Sequence, residues 1–407
     1  MSIEKRLLLL CKYIKEVVVL EYKNSSYLCI YPNFQELEKA KIINIENEIR
    51  WYGLELYNIE VGDDKRLDNY KIFTAPLPRT SLGEYDRELL LKLMDADKLM
   101  ELDAKEPSDV VYKKLKSYLS SFTTMEIVPS SHIELDLGLD SLDYVELFIF
   151  VQSSFGVVID EALFSQMMYV EVLYEYIKEH IKYNKESRVE WKDILNEPVD
   201  KKLISSPIIM SLYKIVLYPL FKFYFRLEVV DVKNMPLVSC VIAPSHQSML
   251  DGFLVLATLP FSILKKSFFL AYKQVFGKGF LKPMALHSQN ILIDADKHLK
   301  ETLQYSALPL KEGNNLVIFP EGARSRDRKL LEFRPFFAIL SKTFNVPVVP
   351  VVVDGGFEAL KSGRVFPRPK KVRVTYLTPI YPQGLSYEEI VTLTRDAIEK
   401  EMQRNPL

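Results

Sequence analysis

The second half of the chain places the tightest limit on the fold. From Lys201 onward, short apolar runs (SCVIAP, NLVIFP, VPVVPVVV and KVRVTYL) recur between stretches of helical periodicity. Runs this short and this continuously apolar suit strands buried on both faces, with the intervening helices as cover. The predicted class for residues 201–407 is therefore α/β, a sheet covered by helices. The 407 residues exceed one typical core, and a composition 48% apolar and 26% charged excludes disorder. Pro outnumbers Gly, 22 to 14, without low-complexity tracts, which excludes collagen-like and linker-rich classes.

Two further segments separate from this half by pattern. Residues 1–92 read as a small α+β subdomain: a helix over Ile3–Ile14, the β-rich runs EVVVLEY and SYLCIYP, and a helix around Ile43–Tyr57. Residues 107–182 contain amphipathic helical stretches and almost no β signal. Pro107 and Ser108 mark a helix start, and Tyr112, Leu115, Tyr118 and Leu119 form the apolar face that follows. Residues 183–200 are mostly polar and read as a linker. Cys11, Cys29 and Cys240 are odd in number and far apart, which fits a reducing compartment and no disulfide framework. The stretch MSIEKRLLLLCKYIKEVVVL has neither an h-region nor a small-residue cleavage site, so no secretory signal is expected.

Charge divides the chain in two. Residues 201–407 carry 29 Lys and Arg against 17 Asp and Glu, whereas residues 1–200 carry 24 against 37. An acidic half calls for a basic partner, and a basic half for an anionic surface or substrate. Nucleic acid is the weaker reading of that basic half, since its bases are scattered and no nucleic-acid motif accompanies them. A lipid surface has a specific feature behind it. Leu203–Phe221 carries one charge, Lys214, two prolines, Pro207 and Pro219, and flanking Lys201, Lys202, Lys222 and Arg226. A spanning helix needs about 20 apolar residues. The interleaved Tyr and Phe favour a helix lying in the interface over a buried core helix, giving monotopic or peripheral attachment at the cytoplasmic face.

Two motifs carry chemistry. The first is LGLDSLDYVEL over residues 137–147, where Ser141 opens a helix with Leu142, Val145, Phe148 and Ile149 at helical spacing. On its own such a serine is most simply an N-cap. The string, its helix order and its acidity (12 acids against five lysines in 107–182) resemble the acyl carrier protein family. That resemblance implies a four-helix carrier bundle, 4'-phosphopantetheine attached covalently to Ser141, and a phosphopantetheinyl transferase as partner. A hydroxyl exposed at a helix N-terminus tolerates the resulting phosphodiester, and surrounding acids match a basic docking patch.

The second motif comes in three parts. PSHQSMLDG places His246 and Asp251 five apart after an apolar run; alone, this is as well read as a surface histidine at a strand end. NLVIFPEGARSRD then adds Phe319, Pro320, Glu321, Gly322, Arg324 and Ser325, and VPVVPVVV adds Pro347 and Pro350. In this order they resemble the glycerolipid acyltransferases, typified by the 1-acyl-sn-glycerol-3-phosphate acyltransferases, over residues 197–385. The resemblance implies that His246 is the general base and Asp251 its orienting carboxylate. A glycerol hydroxyl would attack an acyl thioester directly, without metal or acyl-enzyme. A neutral imidazole suits that proton transfer. Phe319 to Ser325, Pro347 and Pro350 would line the acceptor site. There Gly322 admits close backbone approach, Arg324 offers a forked donor to phosphate, and Glu321 organises the loop. Arg326, Arg328 and Lys329 read as a solvated basic face. Two departures from the family stand out: Ala295 where an arginine is frequent, and Phe337 near a usual small residue. They leave the acceptor headgroup open, lysophosphatidic acid or a related lysophospholipid.

KIFTAPLPRTSLGEYDR, within residues 3–92, resembles the C-terminal subdomain of the adenylate-forming acyl ligases. Glu84 replaces the lysine that contacts the adenylate there, so no ligase activity is expected from the segment. It reads as a relic, a docking module or the partner of a separate ligase domain. The expected whole is a subdomain over 1–92, a carrier domain over 107–182, a linker over 183–200 and an acyltransferase domain over 201–407. Its donor would be an acylated carrier protein or acyl-CoA. The alternative is a noncatalytic membrane-bound carrier or scaffold serving a separate acyl ligase.

Overall fold

The computed structural model describes residues 2–23, 25–61, 66–67, 69–95, 106–186, 190–272, 288–293, 299–325, 328–360 and 366–404. The chain forms two compact units: Met1–Val189 with Ala295–Leu299, and Glu190–Asp294 with Lys300–Leu407.

The first unit opens with helix α1 (Ile3–Leu10), strands β1 (Ile14–Tyr22) and β2 (Ser25–Pro32), and helices α2 (Phe34–Lys39), α3 (Ile45–Ile49) and α4 (Glu55–Glu60). Strand β3 (Asn69–Ile72) and helix α5 (Arg87–Asp95) follow. β1 pairs antiparallel with β2, and β2 pairs parallel with β3. Helix α1 stops at Leu10, short of the expected Ile14, because the β-branched run that follows takes Ile14 into β1. Alternate residues of β1 enter different cores. Val17 packs with Leu7, Ile45 and Ile49, whereas Val18 and Leu20 pack with Leu90. A sheet covered on both faces explains why EVVVLEY shows no polar alternation.

Residues 107–182 contribute α6 (Val110–Leu119), α7 (Ser141–Phe155), the single turn α8 (Glu161–Phe164) and α9 (Val170–His180). Asp109 caps α6 by accepting from Val111 and Tyr112, and Tyr112, Leu115 and Leu119 are buried as the spacing predicts. Tyr118 is stacked on Phe150 with ring centroids 3.7 Å apart. Gly156 ends α7 in the left-handed region at φ 74°, where a Cβ would meet the Tyr183 ring at 2.8 Å.

The second unit holds helices α10 (Trp191–Asn196) and α11 (Pro207–Tyr224), then strands β4 (Glu228–Val230) and β5 (Val241–Pro244). Helices α12 (Asp251–Thr258) and α13 (Phe261–Leu264) lead into β6 (Ser267–Tyr272) and β7 (Asn290–Ile293). After α14 (Leu299–Lys311) come β8 (Asn315–Val317), α15 (Phe336–Phe344), β9 (Val348–Asp354), α16 (Gly356–Ala359), β10 (Arg373–Tyr376) and α17 (Tyr387–Arg404). The sheet order is β4-β10-β9-β5-β8-β6-β7, parallel except where β10 meets β9. All four expected runs are strands; β4, β6 and β7 are additional. In the middle, β9, β5 and β8 run parallel, so their carboxyl ends open at one edge, where ligands of such sheets bind.

Helix α11 buries Met210 and Phe221 against α12 and the sheet. Its one interior charge, Lys214, donates to the carbonyls of Ala257 (2.8 Å) and Leu259 (2.5 Å) at the end of α12, and burial lowers its pKa. Ile208, Leu212, Ile215, Val216, Leu220 and Phe223 face outward. Among the described residues, no helix is long and apolar enough to cross a membrane.

Candidate active site and candidate modification site

Strand β5 ends at Pro244, and the chain turns through Ser245–Leu250 into α12. Asp251 is the first residue of that helix and is wholly buried. It does not cap its own helix. Its Oδ2 turns back and accepts from the backbone N–H of Gln247 (2.6 Å) and Ser248 (2.7 Å) and from His246 Nδ1 (3.1 Å). A carboxylate at Nδ1 places the ring proton there, which leaves the Nε2 lone pair for proton transfer.

The loop after β8 closes on the same turn. Glu321 Oε1 accepts from the His246 backbone N–H at 2.7 Å, and Oε2 accepts from Leu331 N–H at 2.9 Å. Ser325 N–H donates to the His246 carbonyl at 2.8 Å, and the Phe319 ring lies 4.2 Å from the imidazole, centroid to centroid. Burial pushes the Glu321 carboxyl up to about 7, against the two N–H donors that lower it. Gly322, at φ 62°, supports the reverse turn in which its N–H bonds the Phe319 carbonyl.

The expected residues divide clearly. His246, Asp251, Phe319, Glu321 and Ser325 are brought together. Pro320 is buried in the same loop, its carbonyl accepting from Arg334 N–H, and Arg324 is half-buried beyond it. Pro350 is embedded in β9 opposite Ala243, and Pro347 immediately precedes that strand, its carbonyl accepting from Val241 at the start of β5, away from the carboxyl end that leads to His246. Arg328, read as part of a solvated face, pairs with Glu358 at 2.8 Å, and its carbonyl accepts from Gln247 Nε2. Phe337 is fully buried in α15. Ala295 and Arg326 lie outside the described residues.

One residue at this site escaped sequence reasoning. Gly356 follows β9, and a Cβ there would stand 2.7 Å from Asp251 Oδ1 and 3.3 Å from Ser248 Cβ. Asp251 Oδ1 has no hydrogen-bond partner among the described residues. The paired glycines closing VVVDGG were the available signal, since a strand-end Gly often marks a close approach.

Residues 226–354 match the Acyltransferase family model. An acyltransferase-type domain thus spans this site. A 1-acyl-sn-glycerol-3-phosphate acyltransferase from Limnanthes douglasii is 29% identical over 149 residues, 36% of this chain and 52% of that protein. One from Pseudomonas aeruginosa is 32% identical over 143 residues, 34% and 53% of the two lengths. The chain spans about half the length of the curated relatives it matches. A solved 1-acyl-sn-glycerophosphate acyltransferase, PlsC, from Thermotoga maritima is similar at 22% identity and a TM-score of 0.42, covering 48% of this chain and 78% of that one.

In the other unit, Ser141 is not an N-cap. Asp140 holds that position: its side chain accepts from Leu142 and Asp143, and the Asp143 carboxylate accepts from Asp140 N–H in a capping box. Ser141, half-buried in the first helical turn, donates its hydroxyl to Asn44 Oδ1 at 2.8 Å. Asn44 lies 97 positions away, within the helix expected around Ile43–Tyr57, and nothing in the sequence marks it as a partner for the serine.

Proposed function

We propose that this chain is a phospholipid-forming O-acyltransferase. It moves a fatty acyl group from a thioester to a glycerol hydroxyl of lysophosphatidic acid or a related lysophospholipid. The observation that carries this reading is the buried Asp251 carboxylate on His246 Nδ1, inside a stretch similar to acyltransferase domains. His246 Nε2 takes the hydroxyl proton as the oxygen attacks the thioester carbonyl. The C–O bond forms, the C–S bond breaks, and the imidazolium returns the proton to the departing sulfur. Glu321 fixes the backbone on which the imidazole hangs, and Phe319 limits water on one ring face. The half-buried Arg324 supplies the acceptor phosphate with a forked donor.

The proposal includes a built-in carrier. Ser141 suits a phosphodiester to 4'-phosphopantetheine because it opens a 15-residue helix and is outside the core, with Asp140 doing the capping. When bound, the group supplies a thiol that carries the acyl chain. Held on the same chain, such a donor has an effective concentration roughly in the mM range for a short flexible tether. The outward apolar face of α11, with Lys214 withdrawn to the α12 carbonyls, supports peripheral attachment to a lipid surface. Along it, Pro207, Ile208, Leu212, Ile215 and Lys265 line an open apolar groove of about 490 Å³.

The test is acyl transfer to lysophosphatidic acid from acyl-CoA and from an acylated carrier protein. His246→Ala is expected to lower turnover about 10²–10⁴-fold, the range for losing a general base. Wild-type turnover in that variant overturns the mechanism.

A further inference from the structure

We infer that the turn of chain formed by Ile43, Asn44 and the first two residues of α3, Ile45 and Glu46, is a reversible latch over unmodified Ser141, excluded once the serine carries its phosphodiester. The inference rests on the carrier reading of Ser141 and extends it to regulation.

The turn and the serine's surroundings are held by directed contacts. Ser141 Oγ donates to Asn44 Oδ1 at 2.8 Å, and Asn44 itself is buried. One residue before it, the Ile43 carbonyl accepts from the buried Tyr144 hydroxyl at 3.2 Å. One and two residues after it, the Ile45 and Glu46 N–H groups donate to the two carboxylate oxygens of Glu134, at 2.8 and 3.0 Å. Nearby, the Thr74 hydroxyl donates to Asp136 at 3.3 Å, and the Phe34 ring lies 5.6 Å from that of His132. Ile43 and Asn44, within the residues that resemble a ligase subdomain, therefore lie against the face of α7 that presents Ser141, and their neighbours against the loop that precedes it.

Chemistry sets the direction of the switch. To be modified, Ser141 Oγ must bond the phosphorus next to pantetheine in coenzyme A. The pyrophosphate P–O bond breaks, adenosine 3',5'-bisphosphate leaves, and the serine proton passes to a base of the phosphopantetheinyl transferase. In the latched state that proton is committed to the Asn44 amide oxygen, which is no base, and the serine oxygen is held against Asn44. After modification the oxygen has no proton to donate, so the bond to Asn44 is lost, and the phosphodiester anion beside the Asn44 amide oxygen is repelled by it. The latched state and the modified state thus exclude one another.

The experiment follows modification of the full chain by intact-mass spectrometry, with coenzyme A and a broad-specificity phosphopantetheinyl transferase. Three variants loosen the turn by different bonds: Asn44→Ala, Glu134→Gln and Tyr144→Phe, the last removing only a hydroxyl. Each is expected to gain the phosphopantetheine mass about fivefold faster than wild type, the factor for one net hydrogen bond, and Glu134→Gln up to about tenfold. Hydrogen exchange supplies an independent readout. The Ile45 and Glu46 amides are expected to be protected in the unmodified chain and to lose protection on modification. Equal rates in all forms with unchanged exchange overturn the latch and leave the carrier reading standing. No mass gain in any form, with Ile45 and Glu46 still protected and still loosened by Glu134→Gln, overturns the carrier reading and the regulation that depends on it.

Discussion

Asp140 and Asp251 both stand at the start of a helix, one residue apart in register, and do opposite work. Asp140 occupies the cap position, and its carboxylate points forward onto Leu142 and Asp143, the second and third residues of its own helix. Asp251 is the first residue inside its helix. Its carboxylate points backward, leaves α12 without a side-chain cap, and gathers Gln247, Ser248 and His246. One position in register separates a carboxylate that stabilises a helix from one that aims an imidazole. The cost in α12 is a forgone cap, about 1 kcal/mol, together with a buried carboxylate oxygen left without a hydrogen-bond partner among the described residues.

The same substitution at both positions should separate the two roles most sharply. Asp251→Asn offers Nδ1 an amide, which turns the imidazole proton toward Nε2 and removes the base. Transfer is expected to fall about 10²–10⁴-fold with folding intact, measured by steady-state kinetics beside the melting curve. Asp140→Asn should leave transfer from acyl-CoA unchanged. Equal kinetic losses at the two positions would erase the distinction.

Space around the backward-pointing carboxylate gives the next effect. Gly356→Ala puts a methyl 2.7 Å from Asp251 Oδ1, against backbone-anchored α12. A destabilisation of about 1–3 kcal/mol is expected from overpacking. The loss in turnover should exceed that of Gly252→Ala, whose Cβ meets nothing within 4 Å.

Two histidines extend the contrast. His246 Nδ1 donates to a carboxylate. His132, fully buried, uses Nδ1 to accept from Leu135 N–H at 3.2 Å, and burial lowers its pKa to about 3. It is therefore neutral in the fold. Its contribution is fully present above the unfolded value near 6.5 and is lost as pH falls from there toward 3. Between pH 7 and 5 that loss is about 2 kcal/mol. Urea unfolding of the first unit, followed by hydrogen exchange in α7, should show that pH dependence in wild type and lack it in His132→Gln. The smallest effect is Asp140→Ala, about 1 kcal/mol in the same unfolding measurement.

Local chemistry carried much of this molecule into its sequence. The buried strands β5, β8, β9 and β10 were legible as continuous apolar runs, because a strand covered on both faces has no polar alternation to hide it. His246 and Asp251 were legible because their bond closes within one turn. The short strands β4, β6 and β7 are not among those runs, and the helical pattern that four leucines carry past Leu10 is cut off by the β-branched run of β1.

What the sequence by itself determined, then, is whatever is closed within a few residues: the Asp–His spacing, the Gly-containing turn after β8, the Asp-Ser-Leu helix start and the apolar face of α11. What only the tertiary structure decided is which distant atoms complete those pieces. Parallel pairing of β9, β5 and β8 brings Gly356, Asp251 and Glu321 to one edge, though more than 100 positions separate the first two. Packing within the first unit sets Asn44 on Ser141, 97 positions away. Side-chain periodicity reports the face a residue presents. The identity of the partner on that face depends on strand order and helix packing, which no local spacing encodes.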